Sequence, residues 1–193
     1  MDFHTLAQSR RSVRDFTGQP LTPRQIEKLL QAAQAAPSGG NCQPWHFYVI
    51  QDKAVKTQAV ERSRASKFCL AAPVLFVVCA DPARSEARYG QRGRELYALQ
   101  DTAAAVQNLL LCAQDMGLGA CWCGAFDEAA LAAALGLPAH LRPVAMVPVG
   151  YPTTEQCCQI RRPLSEVVTF IGGAETVLQE PERKPLRFEH MEN

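Results

Sequence analysis

Arg10-Arg11-Ser12-Val13-Arg14 is the first stretch whose residue types and spacing could do chemistry. Arg10 and Arg14 offer forked N–H donors and Ser12 a neutral one, a set that suits a dianionic phosphate monoester. Taken alone, the same run reads first as a solvated basic face. A second group is Ala36-Pro37-Ser38-Gly39-Gly40-Asn41-Cys42-Gln43-Pro44-Trp45. Its glycines let backbone approach a flat ligand closely, and Ser38, Asn41 and Gln43 carry donors and acceptors. The plain alternative is a tight connecting turn with Trp45 as a core anchor. A third group, Gly117-Leu118-Gly119-Ala120-Cys121-Trp122-Cys123-Gly124-Ala125-Phe126, is no dinucleotide fingerprint. It follows a helix and opens a strand, the reverse of the strand-to-helix turn that fingerprint occupies.

Composition narrows the partners. The 193 residues are 47% apolar and 20% charged, with 20 Lys+Arg against 19 Asp+Glu, so the formal charge is +1. That is the profile of one globular domain, without the basic excess that nucleic acid or an anionic membrane requires. The longest apolar run, Phe68 to Ala80, is broken by Pro73 and is too short to span a bilayer. An acid at Asp2, where a secretion signal carries positive charge, points to a cytoplasmic protein. Eight cysteines contain no Cys-x2-Cys pair, which disfavours a zinc or iron–sulfur site and reads as reduced thiols packed as small apolar residues. His4, His46 and His140 are isolated, His190 lies near the end, and none is assigned a role.

The elements that must position these groups are legible from periodicity. Thr22-Pro23-x-Gln25 is a capping box with proline at the first helical position, followed by a stripe of Ile26, Leu29, Leu30 and Ala33 up to Pro37. His46–Ile50 predicts a short strand, Asp52 caps the next helix, and Pro73–Ala80 predicts a strand buried on both sides. Leu99 to Met116 predicts a central buried helix, and 117–126 a turn and strand. A helix over Glu128–Leu135 is capped by Asp127 and stopped by Gly136. Val144–Val149 predicts a strand in which Pro148 implies an edge or a bulge. Residues 81–97, with seven charged side chains and two glycines, are expected to be a solvated loop or a partly ordered lid. Residues 174–193 predict an extended tail on the surface or on a partner subunit.

In register, Arg10–Phe16, Pro37–Phe47, Gly117–Phe126 and Arg161-Arg162-Pro163-Leu164 resemble the FMN-dependent nitroreductase family, NAD(P)H-dependent flavin oxidoreductases, over roughly residues 5–170. The resemblance implies an α+β nitroreductase-like domain over 1–173, with a C-terminal extension over 174–193. Its central, mostly antiparallel sheet would be flanked by helices, in an intertwined homodimer holding two FMN molecules at the subunit interface. Carried over by position, Arg10, Arg11, Ser12 and Arg14 would hold the phosphate and ribityl chain, with Arg161 as a second arm. Pro37, Ser38, Gly39 and Asn41 would reach the flavin from the other subunit. Trp122, Cys123, Gly124 and Ala125 would lie against the isoalloxazine, with the Gly124 amide near N5. No catalytic side chain is implied, because hydride transfer belongs to the flavin. The implied activity is ping-pong reduction of nitroaromatic, quinone or similar electron-poor acceptors, with NADH or NADPH as the transient reductant. The alternative on this scaffold is a flavin-binding protein with a non-reductase role, such as flavin cleavage, dehalogenation or storage. The chain departs from the family pattern at Gln159, where many members carry a basic residue, with Arg162 added after the late arginine. Gly124 stands where some members have an acid, and Cys42, Cys121 and Cys123 within the motifs read as packing residues or, alternatively, as thiols that tune the flavin's redox behaviour.

Overall fold

Local signals start the elements where the sequence puts them. In the computed structural model, which describes residues 1–153 and 161–172, helix α2 (Pro23–Gln34) opens on the complete capping box of Thr22 and Gln25. Asp52 caps α3 (Lys53–Arg62) through Val55 N–H, and Asp127 caps α6 (Glu128–Leu135) through Ala130 N–H before Gly136 ends it at φ 62°. Each such cap contributes about 1 kcal/mol. The remaining helices are α1 (Phe3–Ser9), α4 (Pro82–Arg92) and α5 (Ala98–Asp115).

Four strands, β1 (Trp45–Ile50), β2 (Val74–Ala80), β3 (Gly119–Ala120) and β4 (Arg142–Gly150), form one antiparallel sheet in the order β1-β2-β4-β3. All seven residues of β2 are buried, and alternate ones face opposite layers. Val74, Phe76 and Val78 pack with Leu29 and Ala33 of α2 and with Val106, Leu109 and Leu110 of α5. Leu75, Val77 and Cys79 pack on the other face with Ala59 and Val60 of α3, Leu131 of α6 and Met146 of β4. The result is an α+β sandwich of helices on both sides of the sheet, as expected.

Two expectations change. Residues 81–97 are helical: α4 begins at Pro82, kinks at Gly90 (φ 57°) and passes through a π-turn at Gly93–Tyr97 into α5. Its charges obscured a usable pattern, Arg84, Arg88 and Arg92 at four-residue spacing on one side and buried Ser85 on another. Pro148 lies in a central strand rather than on an edge. The ladder between β3 and β4 holds at Ala120↔Val149, lapses at the residues opposite Pro148 and Val147, and resumes in the same register at Cys123↔Met146. Met146 N–H donates to Cys123, so by strand alternation position 148 faces the same side, where proline has no N–H to give. The bulge of this strand is at Val78/Cys79 of its other ladder, near Pro143.

The segment after α1 is a further, irregular edge. Ser12 bridges Ala120 in parallel, Val13 N–H donates to Ala120 O at 3.0 Å, and Phe16 bridges Pro152. Val13 fills the space that a side chain at Gly119 would need, since a Cβ there would lie 2.6 Å from Val13 Cγ1. The chain divides into two compact units, Met1–Gln156 and Cys157–Asn193. In the second, Leu164–Glu166 form a turn that Arg162 closes onto Glu166 at 3.1 Å. The expected boundary at 173/174, the tail and Gln159 lie outside the described residues. Among the described residues no helix is long and apolar enough to cross a membrane.

Adding one methyl at Gly119 should therefore prise the 10–14 segment from the sheet. Gly119→Ala is expected to cost about 1–3 kcal/mol in urea unfolding, as overpacking does. Val13→Ala in the same chain should return part of that loss; a double variant no more stable than the sum of both losses would contradict the contact.

Candidate functional site

Two separate clusters collect the residues singled out by the sequence. At the first, α1 ends at Arg10 and the chain turns extended, so backbone alternation sends Val13 into the core and Ser12 and Arg14 to the opposite face. The Arg14 guanidinium lies 5.7 Å from the Phe68 ring centre, a cation–π contact that holds the charged end in place. Arg11 turns back, donating to the carbonyls of Gln8 and Arg10 at the end of α1, where a cation also meets the negative end of the helix dipole. These contacts serve helix termination.

The same cluster takes in the 121–125 stretch. Ser12 bridges Ala120 and its side chain hydrogen-bonds with the Cys121 thiol, while Arg14 acts on that thiol through its charge. Cys121 and Cys123 point inward, whereas Trp122 is 39% exposed and Gly124 and Ala125 are exposed. A Cβ built on Gly124 would meet only Trp122 Nε1, at 3.9 Å. Among the described residues the Gly124 N–H meets no acceptor. This cluster thus presents an open backbone face, an indole beside it, and an arginine and a hydroxyl a few residues away.

The second cluster is the turn that follows α2. Gly40, Asn41 and Gln43 have φ of 55°, 57° and 49°, the left-handed region that side chains seldom occupy. The turn is held in this shape from outside. Both carboxylate oxygens of Asp101 accept the Gly39 N–H, at 3.1 and 3.2 Å, and Ser38 Oγ accepts the Gln43 N–H at 3.0 Å. Arg84 donates to Cys42 O and Arg88 to Gly40 O, both at 2.9 Å. Tyr89 and Tyr97 stack edge to face over the glycines, and a Cβ on Gly40 would lie 2.5 Å from the Tyr89 hydroxyl. Burial pushes the Asp101 carboxyl above its ordinary range, against the opposing pull of the Gly39 hydrogen bond. Pro37 and Asn41 remain exposed, while Ser38 and Gly39 are half-buried.

These two clusters do not meet within one chain. The turn leads into Trp45, whose partner across the sheet is Ala80 and then Arg142, at the start of β4 on the β1 edge. Ser12 and Ala120 sit at Val149, seven residues along β4, on the β3 edge. That separation is about 24 Å along the strand and about 14 Å across three strand spacings. The sheet places the two clusters at diagonally opposite corners. Arg161 belongs to the second unit and is exposed there.

The nitroreductase family model matches residues 7–67 and 58–151. The chain belongs to the nitroreductase family. A protein of Archaeoglobus fulgidus with the provisional name NADH dehydrogenase/NAD(P)H nitroreductase is 36% identical over 77% of this chain and 84% of its own length. A Thermus thermophilus protein named NADH dehydrogenase is 31% identical over 88% of this chain and 96% of its own. The solved structure of a nitroreductase family protein from Clostridium difficile 630 covers 88% of the chain and 98% of itself with a TM-score of 0.76 and 29% identity. The fold expected from the motifs is thus the fold of the family, and the chain is an oxidoreductase.

Sequence reasoning missed Asp101, Tyr89, Tyr97 and the arginines of α4, which shape the second corner, and Phe68, which carries Arg14. The available signal was an aspartate in the first turn of α5, on a helix that the sequence reads as largely buried. Asp101→Asn keeps an acceptor for Gly39 but removes the titration. Because burial raises the folded carboxyl, the wild type binds extra protons when folded just above the ordinary aspartate value, so this group's contribution to stability falls as pH rises through that window. The difference between wild-type and variant unfolding free energies should show that fall between about pH 4 and the raised value, and Asp101→Ala should speed hydrogen exchange at Gly39. A flat difference would place the carboxyl in water.

Proposed function

We propose that this nitroreductase-family oxidoreductase is an FMN-dependent NAD(P)H oxidoreductase. In this reading it reduces nitroaromatic, quinone or similar electron-poor acceptors, and works as a homodimer whose two copies each complete the other's site. The observation that supports this most directly is the diagonal placement of the half-sites. A two-fold pair of chains repeats every contact with the roles exchanged, so one chain's Ser12–Arg14 corner can meet its partner's 37–41 turn, twice per dimer. Apolar surface is available for such a contact: Phe3 is 72% exposed on α1, a helix with no buried residue, and Leu99, Ala103 and Leu111 of α5 are only half-buried.

The residues present fit the cofactor. A phosphate monoester suits the guanidiniums of Arg10 and Arg14 with the Ser12 hydroxyl. A flat ring suits the open face at Gly124, where the nearest atom to a built Cβ is on the indole. When bound, FMN supplies the hydride-accepting ring that takes reducing equivalents from NADH or NADPH and passes them on. The chain's own work is positional. Arg14, braced on Phe68, neutralises phosphate charge; the Gly124 N–H donates to the ring where negative charge develops on reduction; Trp122 walls the ring from water. Asn41 offers its carboxamide to the partner's ring, in a turn whose shape Gly39 sets through its bonds to Asp101 and Cys42. Arg161 is proposed as a further phosphate contact and Arg11 as a support for Arg10.

The purified protein is expected to show flavin bands in its visible spectrum, or to acquire them with added FMN, and to oxidise NADH or NADPH in the presence of menadione. A protein that binds FMN yet shows no acceptor-dependent turnover would instead fit a non-reductase flavin role, and one that binds no flavin would refute the reading. Arg10→Ala and Arg14→Ala each remove a charge-assisted hydrogen bond of about 1.5–3 kcal/mol, so FMN affinity should fall by roughly 10- to 150-fold. Unchanged affinity in both would put the phosphate elsewhere, and Arg161→Ala tests the third contact by the same titration.

A further inference from the structure

Directly beneath the first corner lie three buried thiols that the proposed function does not use. Cys69, at 0% exposure, sits in the short helical turn Lys67–Leu70 before β2, and Cys121 and Cys123, at 2% and 7%, flank Trp122. The Cys69 and Cys123 sulfurs are 3.6 Å apart, in van der Waals and hydrogen-bonding contact, although 54 residues separate them in the chain. Among the described residues the cluster does not assemble into a metal-holding set. Two cations border it. The Lys56 ammonium is buried and donates to Ala72 O, and it faces Cys69 electrostatically, while Arg14 does the same for Cys121 and Cys123.

We propose that Cys69 and Cys123 are a redox-active pair that closes reversibly to a disulfide when a small peroxide reaches it. Sulfur atoms in contact need only side-chain rotation and a small backbone shift to bond at about 2.05 Å. The chemistry assigns the two roles unequally. The hydrogen bond from Cys123 holds the Cys69 thiol below the ordinary cysteine range against the effect of burial, and the Lys56 charge adds to that. For Cys123 the hydrogen bond with Cys121 pulls down, but the bond to Cys69 and burial outweigh it and push the thiol up to about 12. Cys69 is therefore the more acidic of the two contacting thiols, the one that more readily loses its proton to attack.

Cys69 sulfur attacks one peroxide oxygen and the O–O bond breaks. The departing hydroxide takes up the proton that Cys69 has lost and leaves as water, and Cys69 becomes a sulfenic acid. Cys123 sulfur then bonds to Cys69 sulfur, and its thiol proton leaves with the sulfenic oxygen as a second water. Two thiols are oxidised and one peroxide is reduced to two waters. A dithiol reverses the closure by exchange. Cys123 is the most exposed of the three and touches Cys69, so a molecule the size of hydrogen peroxide would approach the pair from the Cys123 side. Closure ties the 67–70 turn, which carries the Phe68 platform for Arg14, to the stretch that carries Trp122 and Gly124. Oxidation at this pair would thus fix the first corner from below, whether or not a flavin lies above it.

The test uses the intact protein without added flavin. The folded protein is exposed to hydrogen peroxide, quenched, denatured and its thiols counted, then digested with chymotrypsin, which cuts at Trp122 and Phe76 and so separates Cys123 from Cys121 and Cys69 from Cys79. The expected result is the loss of two of the eight thiols, a linked Cys69–Cys123 peptide as the dominant cross-link, and return of both thiols with dithiothreitol. Cys69→Ser should lose no pair. Retention of all eight thiols in the wild type, a cross-link between any other two cysteines, or equal thiol loss in the folded Cys69→Ser variant would overturn the proposal. Because the wild type is itself the main sample, a variant that failed to fold would leave the result intact.

Discussion

The backbone pairing along the outer edge of β4 is the constraint on which the rest depends. Val13 N–H reaches Ala120, Ala120 pairs with Val149, and Cys123 exchanges both backbone hydrogen bonds with Met146. These few bonds fix the arginine segment, the glycine stretch and the sheet as one rigid body, because Val149 and Met146 belong to a strand that is otherwise buried. Arg14 and Gly124 lie in segments far apart in sequence, yet their spacing in the molecule is set by ladder register rather than by flexible side chains. Pro148 belongs to this arrangement. It leaves the ladder unpaired at one step, but the register holds on either side, so the segment keeps strand alternation: both cysteines point in and the indole of Trp122 between them points out.

At the far corner the constraint is electrostatic and local. A turn with three consecutive or near-consecutive left-handed residues would relax if left alone. One carboxylate, one serine hydroxyl and two arginines satisfy its backbone groups, and two tyrosines close over its glycines. Each corner is therefore built from a different physical principle, and in the proposed function each supplies one part of a shared binding site.

Much of this was legible in the sequence where a signal was local. The capping box at Thr22, the caps at Asp52 and Asp127, the seven buried residues of β2 and the stop at Gly136 follow from residue chemistry within one turn or one strand. The motifs that resemble the family picked out both corners by residue number. What stayed hidden was long-range. The four-residue spacing of arginines in α4 was masked by glycines and charge, so the segment read as a loop. Asp101 earns its role only by meeting Gly39 from another element. The register that carries Pro148 in a central strand depends on which side of β4 the bonds point, and no local pattern encodes that. The contact of Cys69 with Cys123 likewise depends on the turn at 67–70 packing against the end of the β3 segment, a meeting that spacing along the chain cannot show.

The central claim is that the two corners of one chain serve two different sites. Mixing subunits tests it most directly. One chain carries Ser12→Ala with Arg14→Ala, the other carries Ser38→Ala with Asn41→Ala, and each alone should bind FMN weakly. Refolded or co-expressed together, heterodimers contain one site with both lesions and one with neither, so the account predicts high-affinity FMN at one per heterodimer. If the mixed protein binds no FMN tightly, both corners act within the same chain and the account is wrong.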